Sequence, residues 1–239
     1  MELSKLDFGR LQRGLELLTL GNPKTMKGLA QNYLTAILHL APAWSSGRNV
    51  CAFHSAECAE DCLSYSGRGA MKKVQDARVR RTKEYFDERP KFIAKLHADI
   101  WLVVQYAQRV GLTPAIRLNG TSDILWETWQ IPQSFPSVQF YDYTKWAVRK
   151  KVPPNYHLTF SFSGTNLKAT YNWLKGGGNV AVPFLVEVPE TWLGWPTIDG
   201  DSHDLRFLDP TGGKVVALKA KGPLRRHPES AFLGENHDL

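Results

Sequence analysis

Cys51, Cys58 and Cys62 lie within twelve residues in the spacing C-x6-C-x3-C, and the chain has no other cysteine. Three thiols in one short stretch do not make a disulfide framework, and soft thiolates gathered in a loop are metal donors more often than cross-links. Two metal chemistries fit them. The spacing departs from the paired C-x2-C knuckles of structural zinc, but His54 could complete a Cys3His zinc site. Alternatively, three thiolates bind three irons of a [4Fe–4S] cluster and leave the fourth iron open to a ligand or substrate. The second chemistry makes a reaction centre and is the main expectation. Three packed thiols without metal are the plain alternative.

Other polar clusters stand where apolar runs stop. Arg117-Leu118-Asn119-Gly120-Thr121-Ser122-Asp123 supplies backbone N–H groups and small polar side chains, so Asn119, Thr121, Ser122 and Asp123 are candidates to hold the amine or carboxylate of a cofactor. A helix N-cap is the ordinary use of such a turn. Ser161 and Ser163 are further cofactor candidates, and Tyr141, Asp142 and Lys145 are the candidate catalytic residues. The stretch Asp199-Gly200-Asp201-Ser202-His203-Asp204 is acidic but lacks the twelve-residue calcium-loop pattern. An Asp204–Arg206 or Asp201–Lys219 charge network closing the mouth of the fold is the better expectation for it.

These residues need elements to position them. Tyr33 to Leu40, Pro114 to Leu118, Val138 to Tyr143, His157 to Phe162, Asn179 to Val188 and Val215 to Leu218 read as strands. From about Ala70 to Val110 the pattern is helical, broken at Pro90 and stopped at Gly111, and Asn166 to Leu174 reads as another helix. Strands alternating with helices predict parallel βαβ units and a compact or incomplete (β/α) barrel, with the cysteine loop after the first strand; a doubly wound open sheet is the alternative. Either way the polar clusters share the C-terminal edge of the strands. Residues 1–32 read as a peripheral segment broken at Gly21-Asn22-Pro23, 33–222 as the α/β domain and 223–239 as a loosely held tail.

Composition narrows the function classes. The 239 residues are 43% hydrophobic and 22% charged, an ordinary globular mixture that excludes wholesale disorder. Thirty basic against 23 acidic residues give 30 − 23 = +7, which favours polyanions as weak partners. Charges among residues 1–7 stand where a secretory apolar stretch would, and no uncharged apolar run approaches ~18 residues, so the expectation is an intracellular protein in a reducing compartment with no membrane span.

The element order and the three-cysteine loop are similar to those of radical S-adenosylmethionine enzymes, whose spacing is C-x3-C-x2-C and which place an aromatic residue where Asp61 stands here. That resemblance implies S-adenosylmethionine as the ligand of the open iron. Leu38 to Pro42, the three cysteines, Ser66-Gly67-Arg68, Arg117 to Asp123, Phe140 to Lys145 and Asp199 to Arg206 together resemble the bacteriophage "gene product 88" family. This resemblance implies a phage protein in the cytoplasm of a host bacterium. The expected function is therefore an iron–sulfur, radical S-adenosylmethionine-like enzyme acting on a small molecule or nucleotide, or modifying nucleic acid. The alternative is a zinc- or cluster-stabilised binding protein that contacts nucleic acid or a host factor.

Overall fold

The structure is a computed structural model that describes residues 8–20 and 23–237. The charged start at 1–7 and the Gly21-Asn22 part of the expected break lie outside the described residues. The helices are α1 (Phe8–Gly14), α2 (Pro23–Leu29), α3 (Ala56–Glu60), α4 (Lys72–Asp87), α5 (Arg89–Val110), α6 (Ile131–Ser134) and α7 (Leu167–Lys175). The strands are β1 (Leu18–Thr19), β2 (Tyr33–Leu38), β3 (Thr113–Arg117), β4 (Gln139–Thr144), β5 (Tyr156–Ser161), β6 (Val180–Phe184), β7 (Thr191–Trp192), β8 (Trp195–Asp199) and β9 (Val215–Lys219).

The strands form one nine-stranded sheet in the order β1-β2-β3-β4-β5-β6-β9-β8-β7. Every neighbouring pair from β2 through β9 to β8 is parallel, and the edge strands β1 and β7 run antiparallel to their neighbours. No pairing joins β1 to β7 among the described residues, so the sheet does not close into a barrel; the fold is mixed α/β with an open, mostly parallel sheet.

Alternation along each strand divides the side chains between two faces. Leu34, Ala36, Leu38, Ile116 and Phe140 join the α5 residues Phe92, Leu96, Ile100 and Val103 in the largest apolar core. Phe160, Val180 and Val182 pack with Leu174 of α7 and with Trp192 in a second core. Between the two long helices, Pro90 falls in the first turn of α5, where its missing N–H has no partner to lose. Gly111, at φ 70°, ends α5 in the left-handed conformation.

The opposite face of the sheet is filled by the chain itself. Phe207 packs its ring edge-on against Tyr33 and Tyr141, at centroid distances of 5.0 and 5.4 Å, and Arg206 is fully buried beside them. The acidic stretch before it is thus part of a plug. Arg117 pairs with Asp204 at 3.0 Å and Arg206 with Asp209 at 3.3 Å, while Asp201 pairs with Lys221 and accepts from the Lys219 backbone N–H. A charge network was the expectation, and the partners differ: Asp204 is held by Arg117.

Both expected flanks need correction. The Asp99 carboxylate in α5 accepts the backbone N–H groups of Glu16, Leu17 and Leu18, which ties the supposedly peripheral start into the sheet. Beyond Pro223, Leu224 and Leu233 are buried, and Trp192 donates its indole N–H to the Gly234 carbonyl at 2.8 Å. Residues 223–237 are a packed strap rather than a loose tail, because burying two leucines and satisfying long-range hydrogen bonds offsets the entropy of ordering them.

Candidate functional site

The three cysteines lie in the loop after β2, the second strand in chain order rather than the first as expected, and all are free thiols of intermediate exposure. Its shape is set by polar contacts. Asn49 accepts the Cys51 N–H at 2.8 Å, and Ser55 caps α3 by accepting the Cys58 N–H at 3.0 Å while donating to the Ser163 carbonyl at 2.7 Å. Two sulfurs accept backbone N–H groups: Cys51 from Ala43 and Cys62 from Ser64, each at 3.5 Å. Such N–H···S contacts stabilise anionic sulfur.

The cysteine loop closes one side of a cavity of about 190 Å³. Arg117, Tyr143, Lys145, Ser161, Pro183 and Lys219 line it from the C-terminal ends of successive strands or just beyond them, together with Cys51, Cys58, Cys62 and the turn Asn119–Asp123. Of the residues expected to form the site, these three cysteines, Asn119, Thr121, Ser122, Asp123, Lys145 and Ser161 are brought together on its wall. Tyr141, Asp142 and Ser163 are not on the wall. Tyr141 lies deeper, under Phe207; Asp142 points to the helix-covered side; and Ser163 serves through its backbone carbonyl.

Electrostatics separate the cysteines from the turn. Burial pushes the Cys51 thiol up to about 12, against the pull of the Ala43 N–H and of Lys145, and burial raises Cys62 in the same way. Thiols in that condition stay protonated near neutral pH unless a metal takes the place of the proton. Lys145 donates to Ser161 Oγ at 3.2 Å. Burial pulls its ammonium down, but the neighbouring Cys58, Asp123 and Cys51 outweigh this and hold it above the usual lysine value. A compensating cation therefore already stands beside the sulfurs.

The Asn119–Asp123 turn spends its side chains on the scaffold. Asn119 Oδ1 accepts from Ser122 Oγ, the Ile124 N–H and Trp126 Nε1 at 2.8, 2.9 and 3.0 Å. Thr121 donates to the Leu40 carbonyl at 2.5 Å, and the Asp123 carboxylate accepts from Thr144 Oγ1 and the Lys145 N–H at 2.9 and 2.7 Å. Gly120 lies so close to β2 that a Cβ there would stand 2.6 Å from Ile37 Cγ2 and 2.7 Å from the Leu38 carbonyl oxygen, so only glycine fits. Behind the turn, Asp142 accepts the Asn119 N–H and the Tyr156 hydroxyl at 2.7 Å each.

Sequence reasoning missed the strap's part in the site. Phe232 and Leu224 line the cavity, and Asp61, between the second and third cysteines, accepts from His227 Nδ1 at 2.6 Å and Ser230 Oγ at 2.9 Å. Among the described residues no three His, Cys, Asp or Glu side chains converge on a point that would hold a single metal ion.

A family model described as Gene product 88 matches residues 15–234. The chain belongs to the gene product 88 family. No curated protein and no solved structure matches it. The gene product 88 match spans every residue that lines the cavity, from Pro42 to Phe232, so the site lies within the family's own extent.

Proposed function

We propose that this gene product 88 protein holds a [4Fe–4S] cluster on Cys51, Cys58 and Cys62 and is an enzyme that uses S-adenosylmethionine at the open iron. The observation that carries the reading is the meeting of three free thiols with the Lys145 ammonium on one cavity, at the C-terminal edge of parallel strands. A cube suits these donors better than zinc. Each thiolate binds its own iron, so the sulfurs need to surround a space rather than converge on a point, and among the described residues no three metal-binding side chains converge on one.

When bound, such a cluster supplies one electron to a ligand on its open iron. The chain's own residues do the rest. Ala43 and Ser64 donate N–H groups to two of the sulfurs, and Lys145 balances their charge. The Asn119–Asp123 turn gives the cavity a rigid wall whose backbone faces the cofactor's polar end. Six successive parallel strands, β2 to β6 and then β9, send residues or loops to the one cavity, which supports reading the open sheet as an incomplete (β/α) barrel. Free thiols accord with a reducing bacterial cytoplasm, where a phage protein would work.

The test is anaerobic loading with iron and sulfide. About four of each per chain are expected, with loss of the brown chromophore in Cys51→Ala, Cys58→Ala and Cys62→Ala. Under dithionite the loaded protein should then cleave S-adenosylmethionine to methionine and 5′-deoxyadenosine. Stoichiometric zinc without sulfide sinks the cluster; a full cluster that neither binds nor cleaves S-adenosylmethionine sinks the cofactor.

A further inference from the structure

The rim of the cavity is unusual in a way that the cavity's own chemistry does not require. Leu63 and Tyr65, in the turn that follows the last cysteine, are 50% and 39% exposed, and Leu63 also lines the cavity. A second turn, Gly222–Arg226, packs directly on this one, with Gly222 against Ser66. Arg225 and Arg226, both exposed, belong to that second turn. Lys219 lines the cavity next to them, and Arg68 is exposed one turn beyond Tyr65. Among the described residues none of Arg68, Lys219, Arg225 and Arg226 has a carboxylate partner, while Asp201 is paired with Lys221 and Asp61 is held by His227 and Ser230.

An exposed aromatic ring flanked by unpaired guanidinium groups is the combination that binds single-stranded nucleic acid: phosphates on the cations, a base stacked on the ring. A small anionic substrate would use the cations and leave the ring idle. A duplex would use the cations but could not stack. We propose that the rim formed by the turns at 63–65 and 222–226 binds single-stranded nucleic acid and presents one nucleotide to the cavity. Bases that enter an active site must leave their stack, and a single strand lowers that cost. The inference rests on the cavity's being a reaction centre, but strand binding itself needs the rim alone.

The experiment is fluorescence anisotropy of the full chain with labelled single-stranded DNA and RNA of about 12 nucleotides, within the site sizes of single-strand binders. It is run across a salt series, before and after loading with iron and sulfide. Both forms should bind. Tyr65→Ala should weaken binding about tenfold with the salt slope unchanged, as expected for one lost stacking contact. Arg225→Ala with Arg226→Ala should make the slope of log K against log salt shallower by about 1.4, about 0.7 for each phosphate contact. All three side chains are exposed, so these variants should fold as the parent does.

Unchanged affinity in Tyr65→Ala overturns the proposal, as does equal affinity for a duplex of the same length or equal competition by polyglutamate. Iron and sulfide loading without strand binding defeats this inference and leaves the cluster standing. Strand binding by a chain that takes up no cluster does the reverse.

Discussion

The two loops that meet at the cavity, where the Asp123 N–H donates to the Val50 carbonyl at 2.8 Å, are built on opposite plans. In the Asn119–Asp123 turn nearly every side-chain polar atom has a partner inside the protein, and Gly120 is pressed against β2. In the cysteine loop the scaffold is made by Asn49, Ser55, Ser64 and Asp61; the sulfurs of Cys51 and Cys62 accept backbone N–H groups, and the Cys51 thiol donates to the Thr121 carbonyl at 3.8 Å. Both loops are rich in residue types able to bind a cofactor. The difference lies in where their hydrogen bonds go, which separates a wall from the proposed ligands.

The sharpest way to break the comparison is Asn119→Ala. It strands a hydroxyl, a backbone N–H and an indole N–H that now share one oxygen, in a position only 2% exposed. Buried donors left without acceptors cost about 1–3 kcal/mol each, so a loss of about 3–5 kcal/mol is expected in urea unfolding, allowing for some rearrangement. A loss below about 1 kcal/mol would mean that the turn is not a scaffold and that Asn119 is free to be a ligand.

How far the sequence foretold this arrangement depends on the kind of signal. Strands β2 to β6 and β9 were legible as apolar runs, and the Pro90 break and Gly111 stop of the long helices as backbone chemistry. Strands β7 and β8 were not, since Thr191–Trp192 is too short to show a period and Trp195–Asp199 contains a proline and no clear alternation. The strap was missed because its anchors are contacts between Asp61 and residues more than 160 positions away. Cysteines are rare and seldom idle, so they marked the site. Tyr141 and Asp142 were misplaced for a reason of phase: a strand end shows which residues are near the edge, but not which of the two faces each takes or how deep it sits. Tyr143 and Lys145 share the cavity face, while Asp142 falls on the other.

That other face gives a second test, of pH dependence. Burial, opposed by Arg117 and by the Tyr156 and Asn119 hydrogen bonds, pushes the Asp142 carboxyl up to about 7 from an ordinary value of 3.8. The folded state then binds the proton more tightly than the unfolded chain does. The stability this group contributes is complete below the unfolded value and is lost as pH rises through about 7. Asp142→Asn should therefore flatten the fall in stability between about pH 4 and 7, without abolishing it, because Asp209, raised by burial to about 6, acts in the same sense. Urea midpoints across that range decide the matter. An unchanged slope would mean that the carboxyl behind the turn does not titrate there.

The smallest expected effect on folding is the most telling for function. Cys58 is half-buried, and its sulfur receives no backbone N–H among the described residues, unlike those of Cys51 and Cys62. Its backbone N–H, which Ser55 caps, survives truncation. Cys58→Ala should therefore change the stability of the metal-free protein by less than about 1 kcal/mol. If the Cys58 side chain is dispensable for folding while Lys145 keeps its bond to Ser161 Oγ, that accords with the proposed ligand role. The same variant should fail to take up iron and sulfide, so one preparation should melt in urea like the parent and yet bind no metal. If the melt instead shows a loss like that of Asn119→Ala, the thiol is packing, and the two loops are built on the same plan after all.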